Sequence, residues 1–135
     1  MLRGRHASLL IASALLASPP VAGRAGEAPS AADLRRGQLL FLQCRACHAL
    51  GTETEGKVGP PLGGVMGRQA AAAPGFTYST ALAGAGLTWD EATLDRWLQQ
   101  PTALVPGTSM VYAGLAKPED RRQLIAYLRQ ATAAR

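Results

Sequence analysis

The sequence predicts an all-α fold in which three main helices are joined by long loops. Two segments, residues 30–33 (SAAD) and 88–91 (TWDE), have the capping-box pattern that opens helices. A third helix is expected to begin near Pro118, because proline suits a first helical turn and two acidic residues follow it. No segment alternates apolar and polar residues as a half-buried strand does, and no repeat or coiled-coil pattern is present.

The first 25 residues have the order of a secretory signal peptide. Arg3 and Arg5 precede an apolar run over residues 7–17, and prolines and small residues follow. The run is about half of the ~20 residues that span a bilayer, so an uncleaved anchor is the weaker alternative. We expect cleavage near residue 25, which leaves residues 26–135 as a single exported domain with no stable membrane insertion.

The charge of the chain excludes one class of partner. The sequence has 14 lysines and arginines against 9 aspartates and glutamates, a formal charge of +5. Three of the arginines and none of the acids precede the predicted cleavage site, so the mature charge is about +2. The arginine pairs at 35–36 and 121–122 are interpreted as solvated helix faces, and nucleic-acid binding is not expected.

The first helix is expected to bury one face and to pass close to another backbone. From the cap at residue 30, apolar residues including Leu34, Phe41 and Leu42 recur at helical spacing as far as Cys44. Gly37 lies inside this helix, where glycine costs about 1 kcal/mol relative to alanine. A glycine kept at that cost predicts close approach of a second segment.

The pentapeptide CRACH at residues 44–48 has the spacing of a c-type haem attachment site. Cys44 and Cys47 can each add to one vinyl group of the porphyrin, which places His48 under the iron. The only other histidine, His6, lies in the predicted signal peptide. A thiol–disulfide site and a zinc site are the alternatives. A thiol–disulfide site would normally follow a strand, whereas these cysteines follow a helix. In a zinc site the ligands are usually spaced apart, whereas Cys47 and His48 are adjacent.

Residues 51–86 form a long loop that is expected to pack on a bound group. The segment holds nine glycines and three prolines and has no sustained helix or strand period. Apolar side chains spread through it are predicted to line the cofactor: Val58, Leu62, Val65, Met66, Phe76, Tyr78 and Leu82.

Met110 is the predicted second ligand of the iron. It ends a strap of residues 102–110, in which proline and glycine limit the entropy that ligation must overcome. Met66 is interpreted as a wall residue of the loop. Ligation by His48 and Met110 fills both axial positions, which indicates electron transfer and disfavours a peroxidase-like haem enzyme with an open sixth position.

From residue 37 to residue 128 the chain resembles the small class I cytochromes c of the mitochondrial and bacterial c2/c550 type. This resemblance implies the class I cytochrome c fold, with three main helices and long loops around one haem c held by two thioethers. The segments that carry it are Cys44-Arg45-Ala46-Cys47-His48, Lys57-Val58-Gly59-Pro60-Pro61-Leu62, Gly67-Arg68, Pro74-Gly75-Phe76-Thr77-Tyr78-Ser79, Leu87-Thr88-Trp89, Pro106-Gly107-Thr108-Ser109-Met110 and Leu124-Ile125-Ala126-Tyr127-Leu128.

The resemblance also implies roles around the haem. The carbonyl of Pro60 would accept the second N–H of His48. Arg68, Tyr78 and Trp89 occupy positions that hold or neutralise the haem propionates. The resemblance also implies that Thr108 hydrogen-bonds the inner propionate or a water.

Four departures from the family pattern alter these expectations. Trp97 stands where a tyrosine usually bonds the methionine sulfur, and an indole can donate but not accept. Leu82 replaces a buried asparagine, and Tyr112 replaces a phenylalanine beside the haem edge. Lysines that steer mitochondrial members to acidic partners are missing at Thr102, Ala103 and Ser109.

The predicted function is that of a soluble single-electron carrier and not of an enzyme. Its partners would be membrane-bound reductases and oxidases of respiratory or photosynthetic chains, or a periplasmic dehydrogenase and an oxidase. The signal peptide favours the periplasm over the mitochondrial intermembrane space, and a monomer is expected.

Overall fold

The computed structural model describes residues 26–133, so the predicted signal peptide and its cleavage site lie outside the described residues. The described chain has no named strand and one isolated antiparallel bridge, between Gln69 and Thr88. Its three long helices confirm the predicted all-α class, and two single-turn helices were not predicted. The helices are α1 Ala31–Arg45, α2 Thr80–Ala83, α3 Glu91–Gln99, α4 Pro101–Leu104 and α5 Pro118–Ala131.

Helix α1 begins with the predicted capping box. The Ser30 hydroxyl accepts a hydrogen bond from the Asp33 backbone N–H at 3.1 Å, and the Ser30 N–H donates to the Asp33 carboxylate at 3.0 Å. The Ser30 side chain and then Gln123 hydrogen-bond this carboxylate and lower the pKa of Asp33 to about 2. The acid therefore stays ionised at the positive end of the helix dipole.

The cap of α3 differs from the prediction, which placed it at Thr88. The N-cap is Asp90, whose side chain accepts from the Thr93 N–H at 2.7 Å. Thr88 is still in extended backbone, because the neighbouring Trp89 N–H donates to the Arg68 carbonyl at 2.9 Å. Pairing with the preceding loop thus delays the start of the helix by two residues.

The strap also begins differently from the prediction. Its first residues belong to α4, a single turn that starts with Pro101 at N1 and closes with the Val105 N–H donating to the Pro101 carbonyl at 2.9 Å. Proline has the φ that a first turn requires, so it ends α3 and starts α4. Irregular backbone therefore begins only at Val105.

Helices α1 and α5 cross at Gly37, as the glycine predicted. A Cβ at Gly37 would overlap the Gln123 carbonyl oxygen and lie 2.6 Å from the Tyr127 Cβ. Beside this crossing the rings of Phe41 and Tyr127 pack with centroids 5.8 Å apart. Leu42, which shares the helical spacing of Leu34 and Phe41, is 55% exposed.

The core lies between α1, α3, α5 and the loop segment around residue 65. Arg121 of α5 belongs to its buried surface and is only 5% exposed, so the interpretation of residues 121–122 as a solvated face is wrong for Arg121. No helix among residues 26–133 is both long and apolar enough to cross a membrane. The buried apolar cluster is Phe41, Val65, Leu82, Trp89, Leu94, Trp97, Leu98, Val105, Leu124, Ile125 and Leu128.

Candidate functional site

The C-terminal end of α1 brings two thiols and an imidazole into one turn. Cys44 lies in the last turn of the helix, and its carbonyl accepts from the N–H groups of Cys47 and His48 at 3.0 and 2.9 Å. Cys44 is half-buried and Cys47 is exposed, and no disulfide joins them. The pentapeptide is therefore folded as a compact turn, with one thiol against the core and one at the surface.

The environment of these residues disfavours both alternatives to haem attachment. Burial, and then the neighbouring Cys47, raises the pKa of the Cys44 thiol to about 11. A redox-active thiol instead has a lowered pKa, commonly at a helix N-terminus, whereas Cys44 ends a helix. Within residues 26–133, no three histidine, cysteine or acidic side chains converge as a metal ion requires, so zinc is also disfavoured.

His48 is held in one orientation by the loop that follows it. Its Nδ1 lies 2.7 Å from the Pro60 carbonyl oxygen, which can only accept, so Nδ1 carries the proton and Nε2 keeps its lone pair. Gly59 packs on the ring: a Cβ there would lie 2.7 Å from His48 Cε1. The Gly59 N–H also donates to the Cys47 carbonyl at 2.9 Å. Nε2 is thus the free ligating atom of an oriented ring.

Arg68 organises the loop and leaves one donor without a partner. Its Nη1 donates to the Gly63 carbonyl at 2.7 Å and its Nη2 to the Pro61 carbonyl at 3.0 Å. Its Nε is buried with no hydrogen-bond partner. Burying a donor of a cation without a partner costs about 1–3 kcal/mol or more. An anionic group bound beside this Nε would remove that cost.

Aromatic side chains form two pairs near this loop. Trp89 and Trp97 are both buried and meet edge to face with ring centroids 5.2 Å apart. Phe76 and Tyr78 meet in the same way at 4.8 Å. Neither indole N–H hydrogen-bonds another described residue, so each keeps a donor for a bound group. Val58 is 77% exposed, and its assignment as a lining residue stays a prediction.

The strap presents Met110 against the buried cluster. The Thr108 N–H donates to the Val105 carbonyl at 3.1 Å, and the Thr108 hydroxyl accepts from the Met110 N–H at 3.4 Å. Gly107, with φ of 87°, permits the turn. The Thr108 side chain therefore shapes the strap itself. Several residues that the sequence analysis placed around the haem are half-buried and packed against the apolar cluster: Cys44, Leu62, Met66, Tyr78, Met110 and Tyr112.

Two polar side chains in this region were not assigned a role by the sequence. The Tyr112 hydroxyl is buried without a partner, and burial, followed by the nearby Cys44, raises its pKa to about 12. Arg121 is buried in α5. Its position could have been found from its spacing with Leu124, Ile125 and Leu128, because residues at i, i+3, i+4 and i+7 share one helix face.

Known proteins with the same features were found by both sequence and structure. The family model described as Cytochrome c matches residues 34–132. Cytochrome c2 of Rhodomicrobium vannielii is 48% identical over 99 residues, which are 73% of this chain and 79% of that protein. Cytochrome c of Chlamydomonas reinhardtii is 50% identical over 108 residues, 79% of this chain and 96% of that protein. Among solved structures, cytochrome cH from Methylobacterium extorquens is similar, with a TM-score of 0.66 and 43% identity over 73% of this chain and 98% of that one.

Proposed function

The chain belongs to the cytochrome c family, and from that premise we propose that it is an exported electron carrier with a closed His/Met haem site. As a member it binds one haem c covalently through the two cysteines of its pentapeptide and transfers electrons, and it is not an enzyme. The finer proposal concerns the ligands, the partners and the compartment. The observation that carries it is the oriented His48 ring, whose Nδ1 is 2.7 Å from the Pro60 carbonyl oxygen and whose Nε2 is free.

Cys44, Cys47 and His48 would hold the haem from the α1 side. The haem iron supplies a couple that takes up and releases one electron. His48 contributes its Nε2 lone pair, and the Pro60 carbonyl makes the ring more basic by accepting from Nδ1. Gly59 has no Cβ that would displace the ring from this position. These contacts would present the His48 Nε2 to the iron in one orientation.

Met110 would hold the iron from the strap as its second protein ligand. The upstream part of its strap is preformed by the α4 turn and by the hydroxyl of Thr108, which lowers the conformational entropy that ligation must overcome. A thioether opposite histidine raises the reduction potential relative to nitrogen ligands and closes the site to oxygen chemistry. This supports electron transfer as the activity of the site.

The remaining predicted residues would surround the haem. We assign the Arg68 Nε to a propionate, because it is the buried cationic donor that lacks a partner. Tyr78 and Trp89 offer further donors to the propionates. Trp97 offers only an indole N–H towards the methionine side, and Thr108 holds the strap.

The partners would be redox proteins, namely membrane-bound reductases and oxidases or a dehydrogenase. Exposed apolar side chains stand beside the charged Arg45 and Lys57 near the pentapeptide: Leu42 is 55% exposed, Val58 77% and Val111 101%. Val58 adjoins the glycine packed on His48, and Val111 adjoins Tyr112, which is close to Cys44. This face suits a partner with a matching apolar surface. The small mature charge and the c2-type relatives support a monomer exported to the periplasm.

The proposed site is tested by the spectrum of the purified protein. We expect a haem that resists extraction by acidified acetone, because two thioethers hold it. We also expect a weak near-infrared methionine–iron band in the oxidised form. Extractable haem would contradict attachment through Cys44 and Cys47, and a missing band would contradict ligation by Met110.

The small mature charge of about +2 predicts weak salt dependence. Between about 0.01 M and about 0.15 M ionic strength, where the Debye length falls from about 30 to about 8 Å, we expect reduction by a physiological donor to change less than about threefold. Stopped-flow kinetics measure this. Val111→Asn should slow the reaction. The matched control is Leu39→Asn, another exposed apolar side chain (60%), which lies in α1 and not beside the strap, and it should not slow the reaction. A steep salt dependence would show that charge and not apolar contact guides docking.

A further inference from the structure

A buried arginine fixes the chain just beyond the strap. Arg121 is 5% exposed, and its Nη1 donates to the carbonyls of Leu115 and Ala116, both at 2.9 Å. Its Nε and Nη2 pair with the Asp95 carboxylate at 2.7 and 3.3 Å. The guanidinium therefore ties the chain after Met110 to helices α3 and α5 together.

Two backbone contacts act at the same place. The Leu115 N–H donates to the Leu98 carbonyl at 2.8 Å. Gly114 has φ of 99°, and a Cβ on it would overlap the Gln99 carbonyl oxygen. Asp95 and Arg121 together hold the segment 114–116. We call these two residues and that segment the exit clamp.

Main-chain hydrogen bonds hold the backbone that carries Met110 only at its two ends, and between them the Met110 N–H donates to the Thr108 hydroxyl at 3.4 Å. Upstream, the Thr108 N–H bonds the Val105 carbonyl at 3.1 Å, and downstream the exit clamp begins at Gly114. In the described part of the chain, residues 109–113 make no backbone–backbone hydrogen bond. Ordering such a span costs about 1–2 kcal/mol per residue. The two ends therefore decide how strongly Met110 is presented.

The chemistry of Arg121 differs from that of the arginine beside it. Arg122 pairs with Glu119 at 3.5 Å, and both side chains are about two-thirds exposed (65% and 68%), so that pair contributes little. A buried guanidinium is costly unless all its bonds are satisfied, and it often gains specificity more than stability. Arg121 directs two donors at consecutive carbonyls of one segment, which fixes that segment's position.

We propose that Arg121, with Asp95, is a positioning residue for the sixth iron ligand, because the exit clamp keeps the Met110 thioether in place. The proposal rests on the ligation of the iron by Met110 proposed above. Loss of the clamp would free the downstream end of the span while leaving Met110 itself unchanged. An external ligand would then displace Met110 more easily.

The test is a titration of the oxidised holoprotein with imidazole, which must displace the methionine in order to bind. Arg121→Lys keeps the charge but cannot bond the carboxylate and both carbonyls in the same fork. We expect it to bind imidazole about tenfold more tightly, the effect of losing one hydrogen bond to a charged group. The matched control Arg122→Lys should stay within about twofold of the wild type.

Asp95→Asn provides a second variant if Arg121→Lys does not accumulate. It removes the ionic partner and leaves the two carbonyl bonds, and we expect about threefold tighter imidazole binding. If the accessible variants unfold at lower denaturant concentration but bind imidazole as the wild type does, Arg121 has only a structural role and the proposal is overturned. A wild-type protein without the methionine–iron band would instead overturn Met110 ligation, so the two failures are distinguishable.

Discussion

Replacing Met110 with alanine is expected to abolish the near-infrared methionine–iron band and to lower the reduction potential by on the order of 200 mV, a part of the about 0.8 V that axial ligands span. The thioether stabilises the reduced iron, and water or hydroxide in its place does not. Absorption spectroscopy and potentiometric titration measure the two effects. We expect the haem to remain attached, because neither thiol is changed.

Met66→Ala is the matched control for this variant. Met66 is also half-buried and packed on the core, but it lies in the loop before Gly67 and not in the strap. We expect it to retain the band and to change the potential by less than about 50 mV, since it leaves both axial ligands in place. If the band were lost in Met66→Ala and kept in Met110→Ala, the sixth ligand would be Met66 and not Met110.

Replacing Gly37 with alanine is expected to destabilise the holoprotein by about 2–3 kcal/mol, although alanine favours helix by about 1 kcal/mol over glycine. The added methyl would overlap the Gln123 carbonyl oxygen and lie 2.6 Å from the Tyr127 Cβ. Helix α5 must then move away from α1, because a backbone carbonyl in a helix cannot rotate aside. Urea denaturation followed by circular dichroism measures the free energy of unfolding.

Leu39→Ala on the same helix is the control for Gly37→Ala. Leu39 is 60% exposed, so its truncation should change the free energy of unfolding by less than about 0.5 kcal/mol. If Gly37→Ala proved as stable as the wild type or more so, helix propensity would outweigh the crossing. The close contact of α1 with α5 would then not explain why a glycine occupies this position.

The errors of the sequence-based interpretation share one physical cause. Thr88 matched a capping box, but pairing of its neighbour Trp89 with the Arg68 carbonyl keeps it extended, and Asp90 caps α3 instead. Residues 102–104 were assigned to the irregular strap, but they form part of the single-turn helix α4, because Pro101 starts a new turn. Local patterns describe what a segment can do, whereas contacts with distant segments choose among those options.

The burial of Arg121 likewise could not be read from the local pattern of charges. Adjacent arginines in a helix suggest a solvated face, and Arg122 follows that expectation at 65% side-chain exposure. Arg121 is one helical position away and lies on the buried face, where Asp95 and two carbonyls compensate its charge. Spacing alone could have placed it inward, but only the fold provides the partners that make its burial tolerable.

The sequence by itself determined the all-α class, the three long helices, the helix crossing at Gly37 and the chemistry of the pentapeptide. Each follows from local spacing, from a cap or from a residue that has one dominant use. The tertiary structure decided the orientation of the His48 ring, the unpaired Nε of Arg68 and the clamp that Arg121 forms beyond Met110. These depend on atoms brought together from separate loops and helices, and no local pattern encodes their distances.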